Sequence, residues 1–162
     1  MGAEWYMKVN QLKIRHYNDI LPVLSGRIFH VTPTANMPLI KQSGALIPNS
    51  ELLQVSRFGN SSNGFFRKRN CVSFFDYRCC GSKYWEEHAY KCFPTLILER
   101  GRGDKISILF LHESKFNKLI PWTLWKEEEA WGDRVVPYVE AGYNGIVPLR
   151  YITEELVVEY DH

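Results

Sequence analysis

Gly26-Arg27-Ile28-Phe29-His30-Val31-Thr32-Pro33, continued by Thr34-Ala35-Asn36-Met37-Pro38-Leu39-Ile40-Lys41-Gln42-Ser43-Gly44-Ala45-Leu46, is the stretch whose reading decides the fold. Ser25-Gly26 forms a turn, and the β-branched and aromatic run that follows predicts a strand ended by Pro33. Thr34 to Gly44 then predicts a short helix. Thr34 or Asn36 can cap it, Pro38 sits in its first turn, and Gly44 offers the left-handed C-terminal position. Leu46-Ile47-Pro48 leaves the helix as an extended segment.

Downstream, residues 49–69 form a long polar connection that ends in Arg67-Lys68-Arg69, a basic cluster suited to a diphosphate or simply to solvent. Cys71-Val72-Ser73-Phe74-Phe75 reads as a strand and Lys83 to Tyr90 as a helix. Thr95 to Glu99 and Ile106 to Leu111 read as two strands joined by a Gly-rich hairpin insert. Ser114 to Trp125 is mixed, with some helix. Val135 to Ala141 is extended, Ile146 to Ile152 follows a glycine turn, and Leu156 to Tyr160 is the last strand. Strands outnumber helices and most connections are too short for parallel crossovers, so the class is α+β with a mainly antiparallel sheet.

The chain has 162 residues, 45% of them hydrophobic, enough for one core. The expected organisation is a single domain over 25–162. Residues 1–24 precede it as a helical segment, interrupted by Pro22, or as an arm packed on it. A formal charge of +2 excludes a large nucleic-acid footprint built on net charge alone. No stretch reaches the roughly 20 apolar residues of a membrane span, and the first residues lack a signal-peptide core. A cytoplasmic location with reduced cysteines is the expectation. Cys71, Cys79, Cys80 and Cys92, with His88, could be imagined around zinc, but adjacent cysteines suit a tetrahedral site poorly, so no metal is expected.

Polar residues inside apolar strands are the candidates for chemistry. His30 and Thr32, two apart, share one strand face. Ser73 interrupts an apolar strand, and Glu140 closes the apolar segment 135–139. Singly, each has an ordinary explanation: a strand histidine is usually a hydrogen-bonded structural residue, and a strand-end glutamate is usually solvated. The acidic run Glu127-Glu128-Glu129 is a rival source of a carboxylate, although as an exposed helix face or loop it has an ordinary role too.

In combination and order these segments resemble the ADP-ribosyltransferases, and particularly the DarT-type DNA-modifying enzymes. The opening strand with His30-Val31-Thr32 and the helix from Asn36-Met37-Pro38 to Gly44-Ala45-Leu46 carry most of the resemblance. Arg69-Asn70-Cys71-Val72-Ser73-Phe74-Phe75 is similar to the family's aromatic second motif, with Ser73 where proline is expected and Phe75 where tyrosine is common. Val139-Glu140-Ala141 followed by Gly145-Ile146-Val147-Pro148 is similar to the strand bearing the catalytic glutamate.

The resemblance implies an ADP-ribosyltransferase-like split β-sheet with short helices and NAD⁺ as substrate. It places catalysis on Glu140 and His30, and dinucleotide contacts on His30, Thr32, Arg69, Ser73, Phe74, Phe75 and Tyr77. Rupture of the nicotinamide–ribose bond passes through an oxocarbenium-like state, for which a carboxylate beside the ribose is suitable. His30 would bond the adenosine-side ribose, Thr32 would seat the dinucleotide, the β-strand aromatics would stack on its rings, and Arg69 would pair with the diphosphate. The implied acceptor is a macromolecule, DNA or RNA before protein, in a toxin or a phage–host conflict effector with an antitoxin or host-protein partner. Two alternatives stand beside this: a non-catalytic nucleotide- or partner-binding module on the same scaffold, and an NAD⁺ hydrolase or RNA 2′-phosphotransferase.

Overall fold

The computed structural model describes residues 7–48, 64–96 and 105–161. Nine strands are present among them: β1 (Lys8–Ile14), β2 (Ile28–Pro33), β3 (Ala45–Leu46), β4 (Cys71–Asp76), β5 (Ile106–Leu111), β6 (Ile120–Pro121), β7 (Glu140–Asn144), β8 (Val147–Pro148) and β9 (Ile152–Tyr160). Five short α-helices accompany them: α1 (Leu21–Leu24), α2 (Met37–Ser43), α3 (Phe65–Lys68), α4 (Lys83–Ala89) and α5 (Thr123–Glu127). Seven strands form one sheet in the order β1-β9-β5-β2-β4-β7-β6, and β3 pairs with β8 separately. Only β1 runs parallel to its neighbour, β9; every other pairing is antiparallel. The α+β class and the antiparallel character read from the sequence are those of the structure.

The sheet is buried on both faces, which is why its central strands are apolar almost without alternation. On one face Phe29, Val31, Phe75, Ile108, Phe110 and Leu156 meet Leu24 of α1 and Trp85 and Ala89 of α4. On the other, Ile28, Val72, Phe74, Leu109, Tyr143 and Ile152 meet Met37 and Ile40 of α2 and the β3–β8 pair. Each fully buried aromatic or aliphatic side chain contributes about 1.5–3 kcal/mol by leaving water. A third cluster, Phe65, Phe66 and Cys71 with Leu124 and Trp125 packed on it, covers the β7 end of the first face. There Gly142 is required by close approach, because a Cβ would run into the Phe66 ring.

The helix read from Thr34 to Gly44 is a 3-10 turn, Thr34–Asn36, leading into α2, and Gly44 takes the left-handed cap position with φ 74°. Three expectations change. Residues 8–14, read as part of a helical segment or arm, are a strand of the main sheet, since the two-residue spacing of Leu12 and Ile14 puts both toward the core; only Tyr17–Leu24 is helical. The segment 135–139 is not a strand that Glu140 ends. Pro137, which lacks an N–H, and Tyr138 at φ 66° turn the chain, the Glu140 amide bonds the Val136 carbonyl, and the strand starts at Glu140. Thr95 and Leu96 lie in a turn, and the remainder of the strand expected over 95–99, with most of its hairpin loop, lies outside the described residues.

Candidate functional site

The geometry of the site begins where the sheet loses its regular ladder. β2 and β4 pair only at Ile28 with Asp76 and Phe29 with Phe75. Beyond that point His30 reaches the β4 backbone through its side chain, with Nδ1 2.7 Å from the Ser73 carbonyl oxygen. A carbonyl only accepts, so Nδ1–H is the donor and Nε2 of the neutral ring is left as an acceptor. Burial lowers the His30 pKa, and the Ser73 carbonyl partly opposes that by favouring the protonated ring.

Ser73 joins the second half of the site. Its hydroxyl donates to Glu140 Oε2 at 2.9 Å, and the Val136 amide donates to Oε1 at 3.0 Å. Burial raises the Glu140 pKa, while the Val136 and Ser73 hydrogen bonds pull it back down. One serine therefore serves both groups, His30 through its carbonyl and Glu140 through its hydroxyl. The three residues stand on the neighbouring strands β2, β4 and β7. Strand alternation sends His30 and Thr32 to the α2 face, whereas Glu140, level with Phe75 and Phe29, projects to the α4 face. His30 and Glu140 therefore lie on opposite faces of the sheet, joined through Ser73.

The remaining expected site residues are placed differently. Thr32 is buried at 4% exposure, and its hydroxyl accepts from Asn36 Nδ2 at 3.1 Å, so it ties β2 to the start of α2 instead of facing a ligand. Phe74, Phe75 and Tyr77, expected to stack on a dinucleotide, are buried at 0%, 6% and 0%. Phe75 and Tyr77 pack in the core under α4 and Phe74 in the core under α2, so none presents a ring face to a ligand. Arg69, expected on the diphosphate, is ion-paired with Glu128 and lies over the Phe65 ring at 4.5 Å. The acidic run is thus a partner of the basic cluster, as Lys68 is of Asp133 at 2.7 Å.

Two groups escaped the sequence reading. On the α2 face the Thr34 and Ser107 hydroxyls are 2.9 Å apart, Ser107 donates to Glu155 at 2.6 Å, and Lys41 of α2 lies 3.2 Å from the same carboxylate. Glu155 is only 1% exposed. A serine inside the apolar run Ile106–Leu111 was the available signal, the same signal that singled out Ser73. The second group is aromatic: Tyr138 packs against Tyr84 and His88 of α4 and against Trp122. Its members are scattered through the sequence, and only the turn before Glu140 assembles them.

All four cysteines are free thiols; Cys71 belongs to the α3 cluster, whereas Cys92 and Cys80 pack in the core under α4. Among the described residues no group of three or more potential metal ligands occurs, and no helix is long and apolar enough to cross a membrane. Comparison with protein-family models, with curated proteins and with solved structures found no match.

Proposed function

We propose that this chain is an NAD⁺-dependent ADP-ribosyltransferase on an ADP-ribosyltransferase-like split sheet, acting on a nucleic-acid acceptor. The observation that carries the reading is the line His30–Ser73–Glu140 across three neighbouring strands, at the position where the β2–β4 ladder stops. A neutral imidazole with Nε2 as acceptor suits a ribose hydroxyl. A carboxylate has about four lone-pair directions, so Glu140 retains acceptor capacity beyond the bonds from Ser73 and Val136. Those two donors fix its orientation, which is what a group acting on a short-lived positive charge needs.

NAD⁺ supplies an ADP-ribosyl unit on a positively charged leaving group. Glu140, when ionised, stabilises the charge that develops on the ribose, and it can take a proton from the acceptor. His30 and Glu140 thus fit the substrate's ribose chemistry. Arg69 does not fit its diphosphate role while Glu128 neutralises it. The toxin or conflict-effector role, and an antitoxin or host partner, belong to the same reading.

A non-catalytic binding module is the second reading, and the burial of Phe74, Phe75 and Tyr77 favours it, since these rings cannot hold a nicotinamide. The test is nicotinamide release from NAD⁺ labelled in the adenine half, with nucleic acid and protein acceptors separated by nuclease and protease digestion. The transferase reading expects label that resists protease but not nuclease. It also expects release abolished in Glu140→Gln with NAD⁺ affinity little changed, because the carboxylate acts mainly in the transition state. Intact NAD⁺ throughout selects the binding module; free ADP-ribose alone selects a hydrolase.

A further inference from the structure

Outside the His30–Ser73–Glu140 line, three positive side chains gather on one tyrosine. Lys115 Nζ lies 4.2 Å from the centre of the Tyr151 ring, the Arg150 guanidinium carbon 5.2 Å and Lys118 Nζ 5.6 Å. Each distance is within reach of a cation–π attraction, but a ring has two faces and cannot serve three cations equally. Carboxylates do not make up the difference. None of the ion pairs among the described residues includes Lys115, Lys118 or Arg150, whereas Arg27, Lys41, Lys68, Arg69 and Arg78 are each paired.

The fold itself brings these like charges together. Lys115 and Lys118 are three apart on the 3-10 turn Glu113–Lys118, whose three-residue period puts them on one side. Arg150 and Tyr151 close a second 3-10 turn, Leu149–Tyr151. The His112 amide donates to the Tyr151 carbonyl at 2.8 Å and the Leu149 amide to the Gly44 carbonyl at 3.0 Å, which ties the turns to each other and to the end of α2. Phe116, Leu119 and Leu149 anchor both in the core under α2, while Lys118 and Arg150 stay exposed. Hydrogen bonding from Arg150, and then the charge of Lys115, lower the Tyr151 pKa from its ordinary value. A positive surplus fixed by the backbone takes up an anion with little further ordering.

The groups narrow the anion. A guanidinium fork matches two oxygens of one phosphate, and ammonium groups act as point charges on the others. A carboxylate or a bridging phosphodiester brings one negative charge and answers only part of the surplus. A phosphomonoester brings about 1.5–2 at pH 7. We propose that Lys115, Lys118, Arg150 and Tyr151 form a binding site for a phosphate dianion, free or carried by a small phosphorylated molecule, distinct from the His30–Ser73–Glu140 site. It stands or falls without the NAD⁺ reading.

The test is isothermal titration of the full chain with inorganic phosphate, pyrophosphate and glycerol 3-phosphate, at one low ionic strength because salt screens exposed charges. Binding at one site is expected. Tighter binding of glycerol 3-phosphate than of phosphate makes a phosphorylated molecule the source, and the reverse makes it free phosphate. Arg150→Gln should weaken binding about 10-fold or more, the effect of losing one charge-assisted hydrogen bond. Lys115→Gln combined with Lys118→Gln should weaken it further, whereas Lys126→Gln on α5 should bind as the parent does. All four positions are at the surface, and unchanged thermal unfolding of each variant separates lost binding from lost fold. No binding up to about 10 mM phosphate, or unchanged affinity in Arg150→Gln, would overturn the proposal. So would tighter binding of a triglutamate peptide than of any phosphate probe, which selects an acidic protein partner, or displacement of phosphate by NAD⁺, which puts the anion in the dinucleotide site.

Discussion

Ser73→Ala isolates the joint of the candidate site. The substitution keeps the carbonyl that holds His30 and deletes only the hydroxyl that donates to Glu140 at 2.9 Å. A hydrogen bond to a charged group is worth about 1.5–3 kcal/mol. Both side chains are partly buried, so water replaces some of the loss, and the lower end, about 1.5 kcal/mol, is expected. At about 2–4 °C per kcal/mol for a domain of this size, Tm should fall by about 3–6 °C at a pH where Glu140 is ionised.

The pH dependence carries the sharper information. Burial raises the Glu140 pKa above its unfolded value, so its stabilising contribution is present at acid pH and is lost as pH rises through the folded pKa. Ser73 works against that rise, and without it the folded pKa goes higher still. The stability gap between parent and variant should therefore widen as pH rises above the ordinary carboxylate range, followed by urea unfolding. A gap that stays constant over this range would mean that the Ser73 hydroxyl does not act on the ionised carboxylate, and the line from His30 to Glu140 would be broken at its middle.

Other perturbations test the surroundings. Glu140→Gln removes a buried titrating group, so the variant should gain stability over the parent as pH rises, with each tenfold difference in proton affinity between the folded and unfolded carboxyl worth about 1.4 kcal/mol; parallel pH profiles of the two proteins would contradict the raised pKa. Gly142→Ala would drive a methyl into the Phe66 ring, to 2.8 Å from Cε1 and 2.9 Å from Cγ, at a cost of about 1–3 kcal/mol. Phe66→Leu in the same chain should recover part of that cost, and strictly additive losses in the double variant would place Phe66 away from Gly142.

Much of the fold was legible because local signals agreed with one another. Gly44 was readable as a left-handed cap and takes φ 74°; the apolar run 71–75 was readable as a strand and is one. β1 was missed because Lys8, Asn10, Gln11 and Lys13 mask its two-residue apolar spacing, and because its pairing partner, β9, lies at the other end of the chain. The strand expected to end at Glu140 failed on Pro137. A run of Val-Val-Pro-Tyr-Val has strand composition, but one missing amide is enough to convert it into a turn.

The site residues divide along a similar line. His30, Ser73 and Glu140 could be found because each is a polar residue set in an apolar segment, where burial demands a partner, and the partners they found are one another. Phe74, Phe75 and Tyr77 were read as ligand-facing for the opposite reason, since aromatic content alone does not distinguish a core strand from a cleft. β4 is central and covered on both faces, so alternation could not deliver any of its rings to solvent. The exposed rings sit instead on α4 and in the turn before β7. Under the proposed function, β2, β4 and β7 fix the hydrogen-bonding groups from within the sheet. Catalytic geometry then depends on the turn before β7 as much as on the sheet, because the Val136 amide orients the carboxylate and the Val136 carbonyl accepts from the Glu140 amide.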